Sequence, residues 1–266
     1  MLQRYTGFTG AVPASTLAIC TLAITTATLA ITLTVSKSLN HTPKSLFIPP
    51  LSLTGNHAPE SFVYIAGLGT AALVFLTLAV LLSQIIGFIR NQAPNLTLYC
   101  NIAVMGGYIA AVGLGTQAIV PLQHDILDVI EGQAILSTQS IIHQGGAGAF
   151  FFGSLAHALC VCYIYHVVIT SKTQSGALVA FAKGHISLKS YYTKLTCTCF
   201  VCITIVAAMI LHPASGYIFS KSTYYNIGGA TQWTLVLALI GFFGSYYWDL
   251  DKFYIGVVLI EEHKEP

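Results

Sequence analysis

Charged side chains are scarce: only 8% of the 266 residues are Asp, Glu, Lys or Arg, against about 25% in an average soluble domain. So little charge cannot cover a water-exposed globule of this size, and hydrocarbon is the expected solvent. The charge that exists is nearly balanced, at +2 net. That excludes the basic field on which nucleic-acid binding depends, and no nucleic-acid partner is expected. The usual signatures of catalysis are missing too. There is no GxxxxGK phosphate loop, no HExxH, no nucleophile elbow and no Rossmann fingerprint, so no orthodox enzyme, cofactor or metal is expected. Disulfides are not expected either. The seven cysteines, Cys20, Cys100, Cys160, Cys162, Cys197, Cys199 and Cys202, all lie within or beside apolar runs and none in an outward loop. Inside those runs the ionisable side chains are almost confined to His157 and His166. That disfavours a proton-coupled carrier, which places Asp, Glu, Lys or Arg near the midplane.

What the sequence does have is long apolar runs. Six of them, at about 14–36, 61–89, 98–122, 147–170, 195–211 and 228–248, are each near the ~20 residues that cross a bilayer as a helix. The first is longer than the apolar core of a signal peptide and lacks a small-x-small cleavage site, so it reads as a retained span. The expected fold is all-α: one polytopic membrane domain over residues 1–266, a six-transmembrane-helix bundle with a short tail at 255–266. Six crossings put both termini on one side. Arg4, Arg90, Lys172, Lys183, Lys189, Lys194, Lys252 and Lys264 flank that side, and Lys37, Lys44 and Lys221 the other. Eight against three predicts cytosolic termini. Asn40-His41-Thr42 is then a lumenal or extracellular sequon, with Asn40 a glycosylation candidate, whereas Asn95-Leu96-Thr97 is cytosolic and stays bare.

Several clusters admit two readings each. His124, Asp125, Asp128 and Glu131 share one face of an amphipathic outward segment, either a solvated face or a metal- or pH-sensing one. His157 with Cys160, and Cys199 with Cys202, are spaced three apart on neighbouring spans; they are buried thiols and a core histidine, or a tetrahedral site if the faces met. Cys197 and Cys199, read as juxtamembrane, are palmitoylation candidates. Lys172, Lys183, Lys189 and Lys194 in the fourth loop hold it in the cytosol, or additionally bind a phosphoinositide headgroup. The span glycines, including Gly106-Gly107, Gly113 and Gly145-Gly146, read as close helix packing.

Three ordered stretches resemble the Frag/DRAM/Sfk family of six-span membrane proteins. In the first loop, Pro49, Ser52, Thr54, Gly55, Pro59 and Glu60 match a P-x-I-S-D-T-G-x-x-x-P-E signature, with Leu53 where the family has Asp. At the start of the fourth span, His143, Gly146, Ala147 and Phe151 match H-x-x-G-A-x-x-x-F. In the sixth, Gln232, Trp233, Gly241, Phe242, Tyr246 and Asp249 resemble E-W…G-F-F…Y…D, with Gln232 for Glu. The first-loop stretch also reads as a compact cap built on proline and Thr-Gly turns, with Glu60 at a helix start and within reach of His143.

The resemblance implies a regulatory or scaffolding membrane protein without catalysis. It would promote autophagy from a lysosomal or endosomal membrane, or organise lipids and phosphoinositide signalling at the plasma membrane. The expected partners are membrane lipids, anionic phosphoinositides among them, and a membrane protein. A Golgi or ER factor remodelling lipids of GPI-anchored proteins, and a channel or carrier, are the rival readings.

Overall fold

The computed structural model describes residues 12–122, 137–170, 176–211 and 220–255. Six of its helical segments are long and apolar enough to cross a membrane. The elements are β1 (Val12–Pro13), α1 (Ser15–Ser38), α2 (Leu51–Thr54), α3 (Glu60–Gln92), α4 (Thr97–Ile119), α5 (Thr138–Thr170), α6 (Gly176–His185), α7 (Leu188–Ile210), α8 (Lys221–Gly244), α9 (Tyr246–Leu250) and β2 (Tyr254–Ile255). The crossings are α1, α3, α4, α5, α7 and the α8–α9 pair. Helix is the outcome hydrocarbon demands, because every backbone N–H and C=O must be satisfied within the segment. The threonines of α1 obey the same demand: Thr21 and Thr28 donate their hydroxyls to Leu17 O and Ile24 O at 2.8 and 2.7 Å.

α1 ends in a defined turn. Asn40 adopts a left-handed φ of 58°, which Asn tolerates better than most residues. This lets Asn40 N–H reach Lys37 O at 3.2 Å and His41 N–H reach Ser36 O at 3.0 Å, the two bonds of a Schellman end. Asn40 itself is exposed, and the Thr42 hydroxyl is paired with Ser36 at 2.7 Å.

The closest helix pair is α4 with α5. Gly106 and Gly113 lie seven apart on α4, and Gly146 and Gly153 seven apart on α5, each pair on one helix face. A Cβ on Gly113 would stand 2.5 Å from Phe150 N and 2.7 Å from Gly146 O, and one on Gly106 2.7 Å from Gly153 O. The backbones touch because nothing separates them.

Three helices start earlier than the apolar runs suggest: α5 at Thr138, not Ala147; α7 at Leu188, not Leu195; α8 at Lys221, not Gly228. Their first turns are polar and extend beyond the apolar stretch, and at α8 the Ser220 side chain accepts from Thr223 N–H as an N-cap at 3.3 Å. Cys197 lies about 14 Å along α7, half-buried, and Cys199 is exposed; both stay at the start of the apolar stretch of that helix. The acidic segment from His124 to Glu131 and Lys172 fall outside the described residues, as does the Lys183 side chain.

β1 and β2 pair antiparallel, Val12 opposite Ile255 and Pro13 opposite Tyr254. The two flanks of the bundle therefore meet at one end, here the strand end. The opposite end carries the first loop and α2, here the cap end.

Candidate functional site

The cap is built by the turn that ends α1 and by the helix start of α3. The turn presents His41, whose Nδ1 donates to Glu60 Oε1 at 2.5 Å. Glu60 opens α3, where a carboxylate complements the positive end of the helix dipole. It is 0% exposed, and its Oε2 has no hydrogen-bond partner. The ring of His57 packs on that of His41 with centroids 5.1 Å apart.

Between these residues, the loop and α2 are clasped to α8. Ile48 N–H donates to Asn226 Oδ1 at 3.0 Å, Leu51 N–H to Gln232 Oε1 at 2.9 Å, and Trp233 Nε1–H to Pro49 O at 3.1 Å. Gly229 lies directly under Ile48 O, where a Cβ has no room. Thr54 donates to Leu51 O at 2.7 Å, and Gly55 sits flat against the Tyr64 ring. Ser52 is half-buried and Pro59 exposed. Thus Pro49 in the first stretch and Gln232 and Trp233 in the third meet in one latch. Asn226 and Gly229 join it unannounced; the signal was an Asn two residues before Gly228-Gly229, which open the sixth apolar run.

Beside the latch an open cleft of about 520 Å³ is lined by His41, His57, Leu53, Ser222 and Tyr225, within the roughly 300–1,000 Å³ of small-molecule sites. Leu53 gives its wall an apolar side chain. The Ser222 hydroxyl is turned to Ser45 O at 3.3 Å.

His143 does not pair with Glu60. It lies in the second turn of α5, buried, and its Nδ1–H donates to Val120 O at 2.7 Å, while His41 occupies Glu60. Gly146 meets Gln117 and Gly113 of α4, Ala147 is half-buried, and Phe151 packs with Leu29, Leu51, Tyr64 and Trp233 under the cap.

Toward the strand end a second polar assembly lies inside the bundle. Lys194 of α7, 0% exposed, donates to Asp249 Oδ2 at 2.7 Å, Ser245 Oγ at 2.8 Å and Ser190 Oγ at 2.5 Å. Tyr165 and Ser190 also donate to Asp249 Oδ2, at 3.0 and 2.8 Å. The Lys194 ammonium sits 3.9 Å from the centroid of the Tyr246 ring. Tyr246 in turn donates to His157 Nε2 at 2.8 Å, and His157 Nδ1–H to Ala103 O at 2.7 Å.

These contacts correct one expectation. Lys194 is no candidate for a lipid headgroup, because its three donors are spent inside the protein. Glu60, Lys194 and Asp249 each stand one residue outside an apolar run, and each is partnered within the protein. Of the proposed basic cluster, Lys189 is exposed and stacks on Trp248, 4.4 Å from the ring centroid. Gly241 abuts Cys197 Sγ, and Phe242 is buried in the core. Both ring nitrogens of His157 are engaged, and among the described residues no three His, Cys, Asp or Glu side chains converge as a metal site. All seven cysteines are thiols.

α6 contributes one further group. The His185 ring lies between Phe181 and Phe253, with centroids at 5.0 and 4.5 Å. Burial, and then the nearby Lys252 ammonium, push its pKa below the ordinary 6.5.

The model of the family described as Frag1/DRAM/Sfk1/Cwh43P N-terminal domain matches residues 13–253. The chain belongs to this family. It is a multi-pass integral membrane protein of the Frag1/DRAM/Sfk1/Cwh43P type, and the three stretches that carry the resemblance converge on the cap latch, the α4–α5 seam and the Lys194 assembly. No curated protein and no solved structure matches the chain.

Proposed function

We propose that this protein is a non-catalytic regulator in an endosomal or lysosomal membrane, where it promotes autophagy by presenting its cap to a membrane-protein partner. The observation that carries this reading is the latch. Three hydrogen bonds from Ile48, Leu51 and Trp233 hold the loop rigidly on α8 beside a ligand-sized cleft. The carboxylate nearest that cleft, Glu60, is sealed beneath it. A shaped surface held in place by hydrogen bonds suits recognition. A role in binding phosphoinositide is less well supported, since Lys194 is withdrawn from the basic cluster.

The test images the tagged protein at native expression beside lysosomal, Golgi and plasma-membrane markers, and measures autophagic flux with Gln232→Leu. Expected are lysosomal membranes and reduced flux at unchanged abundance. Golgi or plasma-membrane residence, or flux indifferent to removal of the protein, would overturn it.

A second reading rests on the His41–Glu60 pair. A carboxylate holding by Nδ1 a histidine that lines a cleft is two thirds of an acyl-transfer relay. This would make the protein a lipid-remodelling factor. Purified protein that releases fatty acid from phospholipid or GPI vesicles, and stops with His41→Gln, would establish it.

A further inference from the structure

Away from the latch, the bundle encloses a small cavity of about 40 Å³ between α1, α3, α4, α5 and α8. Most of its wall is Leu, Ile, Val and Phe, but four polar side chains interrupt it: Thr21 and Thr25 of α1, Tyr64 of α3 and Gln117 of α4. All four are buried.

Helix register brings two of them to one level. As consecutive crossings, α1 and α4 run antiparallel to α3. Thr28 lies against Gly67, and Gly115 lies against Ala72. Thr25, one turn before Thr28, and Gln117, half a turn after Gly115, therefore both stand near the depth of Thr70. That is about 15 Å along α3 from its first residue, well inside a hydrocarbon layer about 30 Å thick. A polar group at that depth has no bulk water to fall back on.

Gln117 has an unmet demand there. It is 9% exposed, and its Nε2 donates to Tyr64 Oη at 3.1 Å, yet its Oε1 has no partner. Turning the amide over exchanges the two ends and leaves the other one unpaired. An orphaned buried polar group costs about 1–3 kcal/mol. The other polar groups of the wall are suited to share a bridging molecule with it. Tyr64 has an O–H of its own to give, and the Thr25 hydroxyl can donate or accept. Thr21 gives its hydrogen to Leu17 O at 2.8 Å and can still accept.

Size and chemistry select the occupant. A lipid chain or sterol needs far more room. A cation would be buried without a counter-charge, because no Asp or Glu lines the space. Water fits on both counts: each molecule needs about 10–15 Å³ and two to four polar partners, whereas cavities that stay dry are apolar throughout.

We propose that the cavity is a water-binding site, in which about three waters bridge Gln117 and Tyr64 to the Thr25 and Thr21 hydroxyls. They tie α1 to α3 and α4 inside the membrane. Occupancy is independent of the cap's role and is read without any assay of autophagy or localisation.

The full chain in lipid nanodiscs is exposed to a brief X-ray pulse, which makes hydroxyl radicals from bound water where it sits, and the oxidised residues are mapped by mass spectrometry. Oxidation is expected on Tyr64 and on Leu29 or Leu68 of the same wall, despite their burial, and not on Leu78 or Leu82, equally buried away from the cavity. Gln117→Leu and Thr25→Val each remove a polar partner and should lower the Tyr64 signal. Thr25→Leu, which fills the space, should abolish it, with exposed Phe47 and Tyr254 labelled as in the parent. The double variant Gln117→Leu/Thr25→Val serves the same purpose if Thr25→Leu is poorly produced. Tyr64, Leu29 and Leu68 as silent as Leu78 in the parent, or a Tyr64 signal undiminished in the filled or double variant, would overturn the proposal.

Discussion

The Lys194 ammonium lies 2.7 Å from the Asp249 carboxylate, on helices that belong to different crossings, and both side chains are buried in the protein. Each charge makes the other tolerable. Lys194→Met or Asp249→Asn alone should therefore lower stability by about 3–5 kcal/mol by stranding the remaining group. The double variant Lys194→Met/Asp249→Leu should recover most of that loss. Thermal unfolding in detergent, followed by the monodisperse fraction, measures all three; single variants as stable as the parent would refute the pairing.

The Leu51 N–H needs an acceptor, and Gln232 supplies it through Oε1. Gln232→Glu, the family's residue, keeps an oxygen there and should preserve the cap. Gln232→Leu leaves the amide unsatisfied, at about 1–3 kcal/mol, and should expose the loop. Limited proteolysis within residues 43–58 reports the difference, and equal cleavage of both variants would dismiss the latch.

Gly113→Ala inserts a methyl group into backbone 2.5 Å away, whereas a Cβ on Gly148 meets nothing within 4 Å. The first substitution should part α4 from α5 and sharply reduce the yield of folded protein. The second should be silent or slightly stabilising, since Ala favours helix by about 1 kcal/mol. Comparable behaviour of the two would mean the helices are not in backbone contact.

Asn40 and Asn95 are both exposed in sequons, so accessibility does not distinguish them and only sidedness can. With cytosolic termini, glycosidase treatment should shift the mobility of the parent and of Asn95→Gln, and leave Asn40→Gln unchanged. A glycan on Asn95 would invert the assigned topology.

His185 favours its neutral form in the folded chain, because burial and Lys252 lower its pKa from 6.5. Below pH 6.5 the unfolded chain binds the proton more readily, so stability falls as pH falls. The contribution is complete above that pH. Replacing His185 with Phe should flatten the decline in unfolding temperature between pH 7.5 and pH 5; an unaltered slope would assign it elsewhere.

The six crossings were legible because length and apolarity alone define a membrane helix. Their starts were not, because the early turns of α5 and α7 carry Thr, Gln, Ser and Lys, which read as loop. Lys194 shows why: a lysine near the edge of an apolar run looks like an anchor, and the Asp249 that neutralises it is far along the chain. The family stretches located the cap but not its chemistry. His143 and His41 were equally plausible neighbours of Glu60 in one dimension, and only the Asn40 turn, which aims His41 inward, decides between them. The Lys194 assembly was half visible, through Tyr246 and Asp249 in the third stretch, and its other half was taken for a loop.

The pairing of Val12 and Pro13 with Tyr254 and Ile255 has a mechanical corollary. The chain closes on itself, so a tug on either tail is shared between α1 and α9. α9 carries Asp249, the acceptor of the interior ion pair. Force on either strand is thus passed to that pair through α9.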